Sequence, residues 1–346
     1  MKLLNLSFDE VQRLVIELGQ PKYRAQQLYT GLQAGKDLKE INVPKELKEL
    51  LTEKGYSVGG VVIHEKFVSQ LDGTVKYLYR LEDGNIIEGV LMHYKHGSTL
   101  CVSTQVGCRM GCAFCASTIG GLVRHLEAGE ILGQVIAANR DNKNDKTRGV
   151  TNIVLMGSGE PLDNYDNVIK FLRLVSSEEG LNVSLRNISL STCGLVPEIY
   201  KLAEERLGIT LSLSLHAPDD DLRKKVMPIS KAYNLKDTIS AMRSYVKTTG
   251  RRVVFEYALI NNFNDTKECA KKLSDLIKGM QCHVNLIPLN SVHESGLQGS
   301  VKDRVNRFKS ELEELGVSVT VRREMGADIS GACGQLRRSY LKEEES

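Results

Sequence analysis

The spacing of apolar positions divides the chain into stretches of different period. Over residues 1–62, SFDEVQRLVIELG, YRAQQLYTGLQAG and VPKELKELLTEKG carry apolar residues at helical spacing and end in or near glycine. That predicts three short amphipathic helices. Residues 63–96 switch to strand patterning: EKFVSQLDGTVKYLYRL reads as a hairpin turning at Asp72-Gly73, followed by the strand NIIEGVLMHY. From residue 97 a rhythm of six strand-then-helix units sets in, with TLCVSTQV, TNIVLMG, NISLSTCG, ITLSLSLHA, RRVVFEYALI and HVNLIPLN as strands. Such alternation predicts a parallel sheet with helical crossovers. The expected organisation is a helical accessory domain over 1–62, a hairpin and strand connector over 63–96, a barrel with a C-terminal loop over 97–336, and a charged tail over 337–346.

Six units suit either a doubly wound sheet or an incomplete barrel, and the unusual residues distinguish them. A cysteine-rich loop follows the first strand and GSGEP (Gly157–Pro161) the second. STCG, SLHAP and IPLN end the third, fourth and sixth. In a barrel those ends converge on one mouth, whereas an open sheet spreads them along an edge with one switch point. The expected fold is therefore α/β, a partial (β/α)6 TIM-like barrel with a small N-terminal helical domain and a short β-hairpin extension.

Composition adds exclusions. The chain is 41% hydrophobic and 26% charged, enough apolar material for a full core. Its start, MKLLNLSFDEVQRLV, lacks the apolar core of a secretory signal, and no apolar run approaches the roughly 20 residues of a membrane span. A soluble, cytoplasmic, monomeric protein is expected, with its eight cysteines reduced. A net charge of +3 neither demands nor forbids a nucleic-acid partner. Residues 1–62 hold nine Lys and Arg against eight Asp and Glu, so by count they form no electrostatic clamp.

The chemistry lies in CRMGCAFC, which places Cys108, Cys112 and Cys115 in a Cys-x3-Cys-x2-Cys spacing. Clustered thiolates bind zinc or an iron–sulfur cluster, and Cys112 with Cys115 alone could form a redox pair. A closed zinc site needs four ligands, and no fourth sits at a usual finger spacing; a more distant one stays open. Three ligands on a four-iron cluster leave one iron for a reacting ligand.

CRMGCAFC resembles the signature of radical S-adenosylmethionine (SAM) enzymes. The resemblance implies a 4Fe–4S cluster whose open iron chelates SAM through its amino and carboxylate groups. It further implies SAM contacts from Gly159 and Glu160 in GSGEP and from Ser191, Ser214, Leu215, His216 and Asn290 at later strand ends. QVGCRMGCAFCAS, MGSGEPLDN, SLHAP, EYALINNFND, CHVNLIPLN and GADISGACGQL together resemble the RlmN-type ribosomal RNA adenine-C2 methyltransferases over nearly the whole chain. The related Cfr group, which methylates C8, shares most of this framework. Ser158 stands where that family usually has methionine, Cys193 where it has serine, and DISGACGQL where it has DIDAACGQL.

Adenine C2 and a sulfonium methyl are both electrophilic, so ordinary displacement cannot join them. The resemblance implies a one-electron route using two SAM per turnover. One methylates Cys333, and the other yields a radical that activates the S-methyl group for attack on the base. Cys101 then resolves the protein–RNA adduct through a transient disulfide with Cys333, and Glu88 accepts the C2 proton. The implied substrates are 23S rRNA at the peptidyl-transferase centre and the adenine 3′ to the anticodon of certain tRNAs. An external electron donor such as flavodoxin or ferredoxin is expected. Without the resemblance, Cys101 reads equally as a buried strand residue and Glu88 as a solvent-facing one. Cys193, Cys269 and Cys282 read as packing. A zinc-stabilised RNA-binding protein without catalysis is the competitor from another class.

Overall fold

The computed structural model describes residues 1–95, 97–142, 149–289 and 296–329. Asn290, Cys333 and the tail 337–346 lie outside the described residues.

The N-terminal segment forms α1 (Phe8–Glu17), α2 (Tyr23–Gln33) and α3 (Lys45–Glu53). A capping box starts α1: Ser7 accepts from the Glu10 amide and the Glu10 carboxylate accepts from the Ser7 amide. Three antiparallel strands follow, β1 (Val62–Val68), β2 (Val75–Arg80) and β3 (Ile86–Tyr94), and β3 pairs with β4 (Gly97–Cys101). The hairpin and its third strand thus belong to the main sheet. Val102 still bonds to Val154, but the chain then leaves that sheet. The single strand expected over TLCVSTQV therefore splits into β4 and β5 (Gln105–Gly107), and β5 pairs with β6 (Leu122–His125) around the cysteine loop.

The alternation then runs as expected: α4 (Ala128–Asp141), β7 (Val150–Leu155), α5 (Tyr165–Ser176), β8 (Ile188–Thr192), α6 (Val196–Glu204) and β9 (Thr210–Ser214). It continues through α7 (Asp220–Val226), α8 (Leu235–Thr249), β10 (Val253–Leu259), α9 (Lys267–Ile277), β11 (Cys282–Pro288) and α10 (Lys302–Glu314). The sequence reading missed a further parallel strand, β12 (Val319–Val321), because three residues are too few to show a period.

Strand order in the ten-stranded sheet is β1-β2-β3-β4-β7-β8-β9-β10-β11-β12. From β4 onward it follows the chain without reversal, so right-handed crossovers carry the helices to one face. A doubly wound sheet would reverse. The sheet also curls. Flat, its outer strands would stand roughly 40 Å apart at the usual strand spacing. Yet the β1–β2 turn bonds directly to the segment just beyond β12. Asp72 Oδ2 accepts from the Gly326 amide (2.9 Å), and Asp328 accepts from the Ser69 hydroxyl (2.6 Å) and the Gln70 amide (2.8 Å).

One hydrophobic cluster runs from Leu3 and Val11 through α4 to barrel residues such as Leu190, Leu213 and Leu286. Among the described residues, no helix is long and apolar enough to cross a membrane. Charge also ties the N-terminal segment to the barrel. Glu130, fully buried on α4, accepts from Lys2 (3.0 Å) and Arg124 (2.8 and 3.0 Å) and from the Glu127 amide. Burial alone would raise this carboxyl, but those donors outweigh it and hold it below its ordinary value.

Glu130→Ala should therefore destabilise the fold by about 2–3 kcal/mol in urea titration. That lies below the usual cost of breaking a buried pair because Lys2 and Arg124 keep other carboxylates and some solvent. Since the folded carboxyl is depressed, the wild-type contribution is present above the unfolded carboxyl's pKa. It should fade as pH falls through the lower folded value, a slope the variant lacks.

Candidate active site

The strand ends open into a cavity of about 360 Å³. Its wall holds Cys108, Cys112 and Cys115 from the loop after β5, with Cys101 from β4. Gly159 and Glu160 after β7, Ser191 on β8, and Ser214 and His216 at the end of β9 share it. Of the other expected SAM contacts, Leu215 is fully buried in the core, and Asn290 lies outside the described residues, as does Cys333.

The cysteine loop is built onto α7. The Ala113 amide donates to the Val226 carbonyl (2.9 Å), and Met110, Cys112 and Phe114 pack on Val226, Met227 and Ile260. Arg109 Nε donates to Asp163 (3.0 Å), pinning the loop's outer side. Burial and the neighbouring Cys115 and Glu160 charges push the Cys108 thiol up to about 11, and burial with the other two cysteines pushes Cys112 up as well. Thiolates packed this closely need a cation before they ionise together.

The GSGEP loop is fixed by its backbone. Ser158 and Gly157 bond to Ser103 and Val102, and the Glu160 amide donates to Gln105 Oε1 (2.9 Å). The Glu160 carboxylate bridges its loop to the end of β8: Oε1 accepts from the Leu162 amide (3.1 Å) and Oε2 from the Cys193 amide (2.7 Å). Gly159 has φ +107°, and a Cβ there would stand 2.6 Å from Gln105 Cβ and 2.9 Å from its backbone nitrogen.

His216, at φ +54°, is buried with its ring edge-on to Phe114 at 4.6 Å. Burial, with Arg223 nearby, lowers its pKa to about 3, so the ring is neutral. Nδ1 accepts from the Ala258 amide (2.9 Å), which puts the ring proton on Nε2. Asn264, within EYALINNFND, locks this corner by donating to the His216 and Ala258 carbonyls (2.7 Å each).

Cys101 is buried beside Val90 and Met92, and Val90 is its register partner on β3. Glu88, two residues earlier on β3 and so on the same face, does not line the cavity. Solvent-facing is the wrong reading of it: Glu88 is 5% exposed and paired with fully buried Lys76 at 3.5 Å. Cys269 and Cys282 pack in or against the main core, while Cys193 packs beneath the cysteine loop and also borders the cavity.

Sequence reading missed two residues here. Arg223 on α7 is fully buried. It donates to the carbonyls of Cys193 (2.7 Å), Ser214 (3.0 Å) and Leu215 (3.1 Å) and to the Ser230 hydroxyl (3.1 Å), clasping the ends of β8 and β9. Within DDLRKKV it looks like one of three basic residues on a solvated helix. Glu256 on β10 is buried in the cavity wall, and the alternation of VVFEYALI is its only signal.

A barrel mouth with this cysteine loop defines a radical SAM protein, and residues 102–277 match the Radical SAM superfamily model. A radical SAM methyltransferase from Sphaerobacter thermophilus has a crystal structure that superposes at a TM-score of 0.92 with 42% identity, covering 97% of this chain and 98% of that one. Relatives from Clostridium tetani and Thermoanaerobacter sp., each named a probable dual-specificity RNA methyltransferase RlmN, are both 50% identical over 99% of this chain. The matches cover 97% and 99% of their own lengths. The chain belongs to the RlmN family of the radical SAM superfamily.

Membership implies a 4Fe–4S cluster and SAM, and the donor set fits. Three cysteines share one cavity wall, and burial with neighbouring negative charge raises the Cys108 and Cys112 thiols, which a bound cluster would offset. Among the described residues, no three His, Cys, Asp or Glu converge tightly enough to close on a single ion. A four-iron cluster takes each thiolate on a different iron and has no need of that convergence.

Gly159→Ala should displace Gln105 and with it the anchor of the Glu160 amide. A cost of about 2–3 kcal/mol in thermal or urea unfolding is expected from strain and overpacking. Unchanged stability would show that the loop has room the structure denies it.

Proposed function

We propose that this chain methylates C2 of adenine in 23S rRNA and in tRNA, the adenine 3′ to the anticodon in the latter, with two SAM consumed per turnover. The supporting observation is the meeting of four thiols, those of Cys101, Cys108, Cys112 and Cys115, in one cavity of a chain whose relatives are named dual-specificity RNA methyltransferases.

In this reading Cys108, Cys112 and Cys115 hold the cluster. Gly159, Glu160, Ser191, Ser214, Leu215, His216 and Asn290 bind SAM. Bound together, cluster and SAM supply a methyl donor and a carbon radical by one-electron cleavage. The chain's own groups do the rest. The fixed Nε2–H of His216 is a donor that costs no reorganisation, and the Cys193 and Glu160 contacts keep the loop in register. Cys333 carries the methyl carbon to the base as a thioether, and Glu88, oriented by Lys76, takes the C2 proton. Cys101 then attacks the Cys333 sulfur. The S–C bond breaks, its electron pair leaves with the carbon, that carbon takes up a proton to complete the methyl group, and a Cys101–Cys333 disulfide remains for external thiols to reduce. An electron donor such as flavodoxin or ferredoxin serves the cluster. Residues 1–62 act as the RNA-docking accessory domain, with the barrel and its C-terminal loop over 97–336 as the catalytic one.

Replacing Cys108, Cys112 or Cys115 by alanine should remove iron and sulfide in equal measure, with loss of SAM cleavage; zinc without sulfide in the wild type would favour the non-catalytic reading. Mass analysis of nucleosides from rRNA and tRNA, with and without the gene, should show 2-methyladenosine, and 8-methyladenosine would assign the chain the C8 chemistry.

Cys333→Ala should keep the cluster and lose methyl transfer. Cys101→Ala should instead stall after carbon–carbon bond formation, leaving a protein–RNA adduct that survives denaturing gels and vanishes with nuclease. The Cys101→Ala/Cys333→Ala double variant should form none. Normal turnover by Cys101→Ala without adduct would remove Cys101 from the mechanism.

A further inference from the structure

Among the described residues, Asp328 is the last that bonds to a distant part of the chain, and Cys333 follows it by five residues. The join is prepared on both sides. On the β1–β2 turn, the Ser69 hydroxyl accepts from the Leu71 and Asp72 amides (3.2 and 3.3 Å) and Asp72 Oδ1 accepts from the Thr74 amide (2.9 Å). Opposite, the chain turns sharply at buried Gly326, φ +62°, where a Cβ would stand 3.1 Å from Thr74 Cγ2. The single turn Ala327–Ile329 starts there, with the Ile329 amide on the Gly326 carbonyl (3.1 Å). Asp72 and Asp328 link the two sides through the Gly326 amide, the Ser69 hydroxyl and the Gln70 amide. Burial works to raise the Asp72 carboxyl, but the Gly326 and Thr74 amides hold it down at about 2, and the Ser69 hydroxyl lowers Asp328.

Neither Asp72 nor Asp328 lines the cavity, whereas Met325, one residue before the Gly326 turn, does. The join therefore sits at the cavity's edge, and a tether of five residues keeps the Cys333 backbone within about 17 Å of it. Without the join, the next fastening back along the chain is the Arg322 amide on the Leu286 carbonyl (2.8 Å), and the tether grows to eleven residues. Effective concentration falls as about the −3/2 power of tether length or more steeply, which is about threefold for that change. A carbon carrier has to present its sulfur to a methyl donor and then to a base in the same cavity. A short tether from the cavity's edge serves both transfers.

We propose that Asp328, together with Asp72, is a positioning residue for Cys333: the join to the β1–β2 turn fixes where the tether begins, and so the local concentration of the Cys333 thiol in the cavity. This rests on the reading of Cys333 as carbon carrier and Cys101 as resolving thiol. Cluster-loaded protein with unmethylated Cys333 is equilibrated anaerobically with glutathione and glutathione disulfide, and the Cys101–Cys333 cross-linked peptide is measured by mass. Each cross-link formed reduces one glutathione disulfide to two glutathione thiols, so the equilibrium constant reports the effective concentration of the two protein thiols. Asp72→Ala/Asp328→Ala should lower that constant by about threefold or more, and should slow single-turnover methylation of Cys333 by a similar factor, with iron and sulfide content unchanged. A join that only closed the barrel would change the melting temperature and leave the constant alone, because both forms being compared are folded. An unchanged constant in the double variant would overturn the proposal. So would wild-type Gly326 and Gln70 amides that exchange hydrogen as fast as in a free peptide, a result that needs no variant to fold. A wild type that forms no Cys101–Cys333 cross-link at any glutathione ratio would instead sink the carrier-and-resolver reading, and this one with it.

Discussion

The parallel strands lie side by side in the order in which the chain makes them, and most of the molecule follows from that constraint. Right-handed crossovers between sequential neighbours place the helices outside, and the inner face must close around whatever its strand ends carry. No single segment could assemble this site. The cysteine loop comes from the chain after β5, the GSGEP loop from after β7, and hydroxyls and carboxylate from β8, β9 and β10. Convergence of strand ends is what turns these scattered segments into one cavity.

Within that cavity, polar groups are held mainly by backbone. Arg223 grips three carbonyls, Glu160 two amides, and His216 and Asn264 further amides and carbonyls of the β9 and β10 ends. Buried side chains that bond to main chain leave few alternative arrangements, because moving one would orphan groups water cannot reach. A radical intermediate must be kept from water and from unplanned hydrogen donors, and a wall fixed in this way suits that demand. Cys193 shows the economy of the design: its amide and carbonyl both anchor neighbours, so its backbone matters whatever its thiol does.

The sequence carries the fold where periodicity is long enough to read. Helices and parallel strands stand within a few residues of their apolar patterns, and the spacing of CRMGCAFC narrows its chemistry to a thiolate-bound centre that the family resemblance then specifies. Legibility fails where a residue's meaning depends on what faces it across space. Arg223 has acidic and basic neighbours like any surface helix, and only the ends of β8 and β9 reveal it as buried. Glu88 sits in a strand whose outer neighbour is unknowable from order along the chain, so Lys76 on β2 could not be anticipated as its partner. Glu256 hides for the same reason, its Asn285 contact depending on register between β10 and β11. Such pairs are set by sheet closure, which one sequence does not print.

That closure has a seam of its own. Beside the cavity, the turn between β1 and β2 meets the stretch after β12 through Asp72, Ser69, Gln70 and Asp328, with no ladder of backbone pairs between the two strands. The segment running from Arg322 to Met325, part of the cavity wall, hangs on this clasp. A ladder shares closure among many backbone bonds, whereas here, among the described residues, three bonds to side chains carry it. Among the described residues, the barrel is therefore fastened on this side by carboxylates gripping hydroxyl and amide groups, and its closure depends on Asp72 and Asp328 keeping their charge.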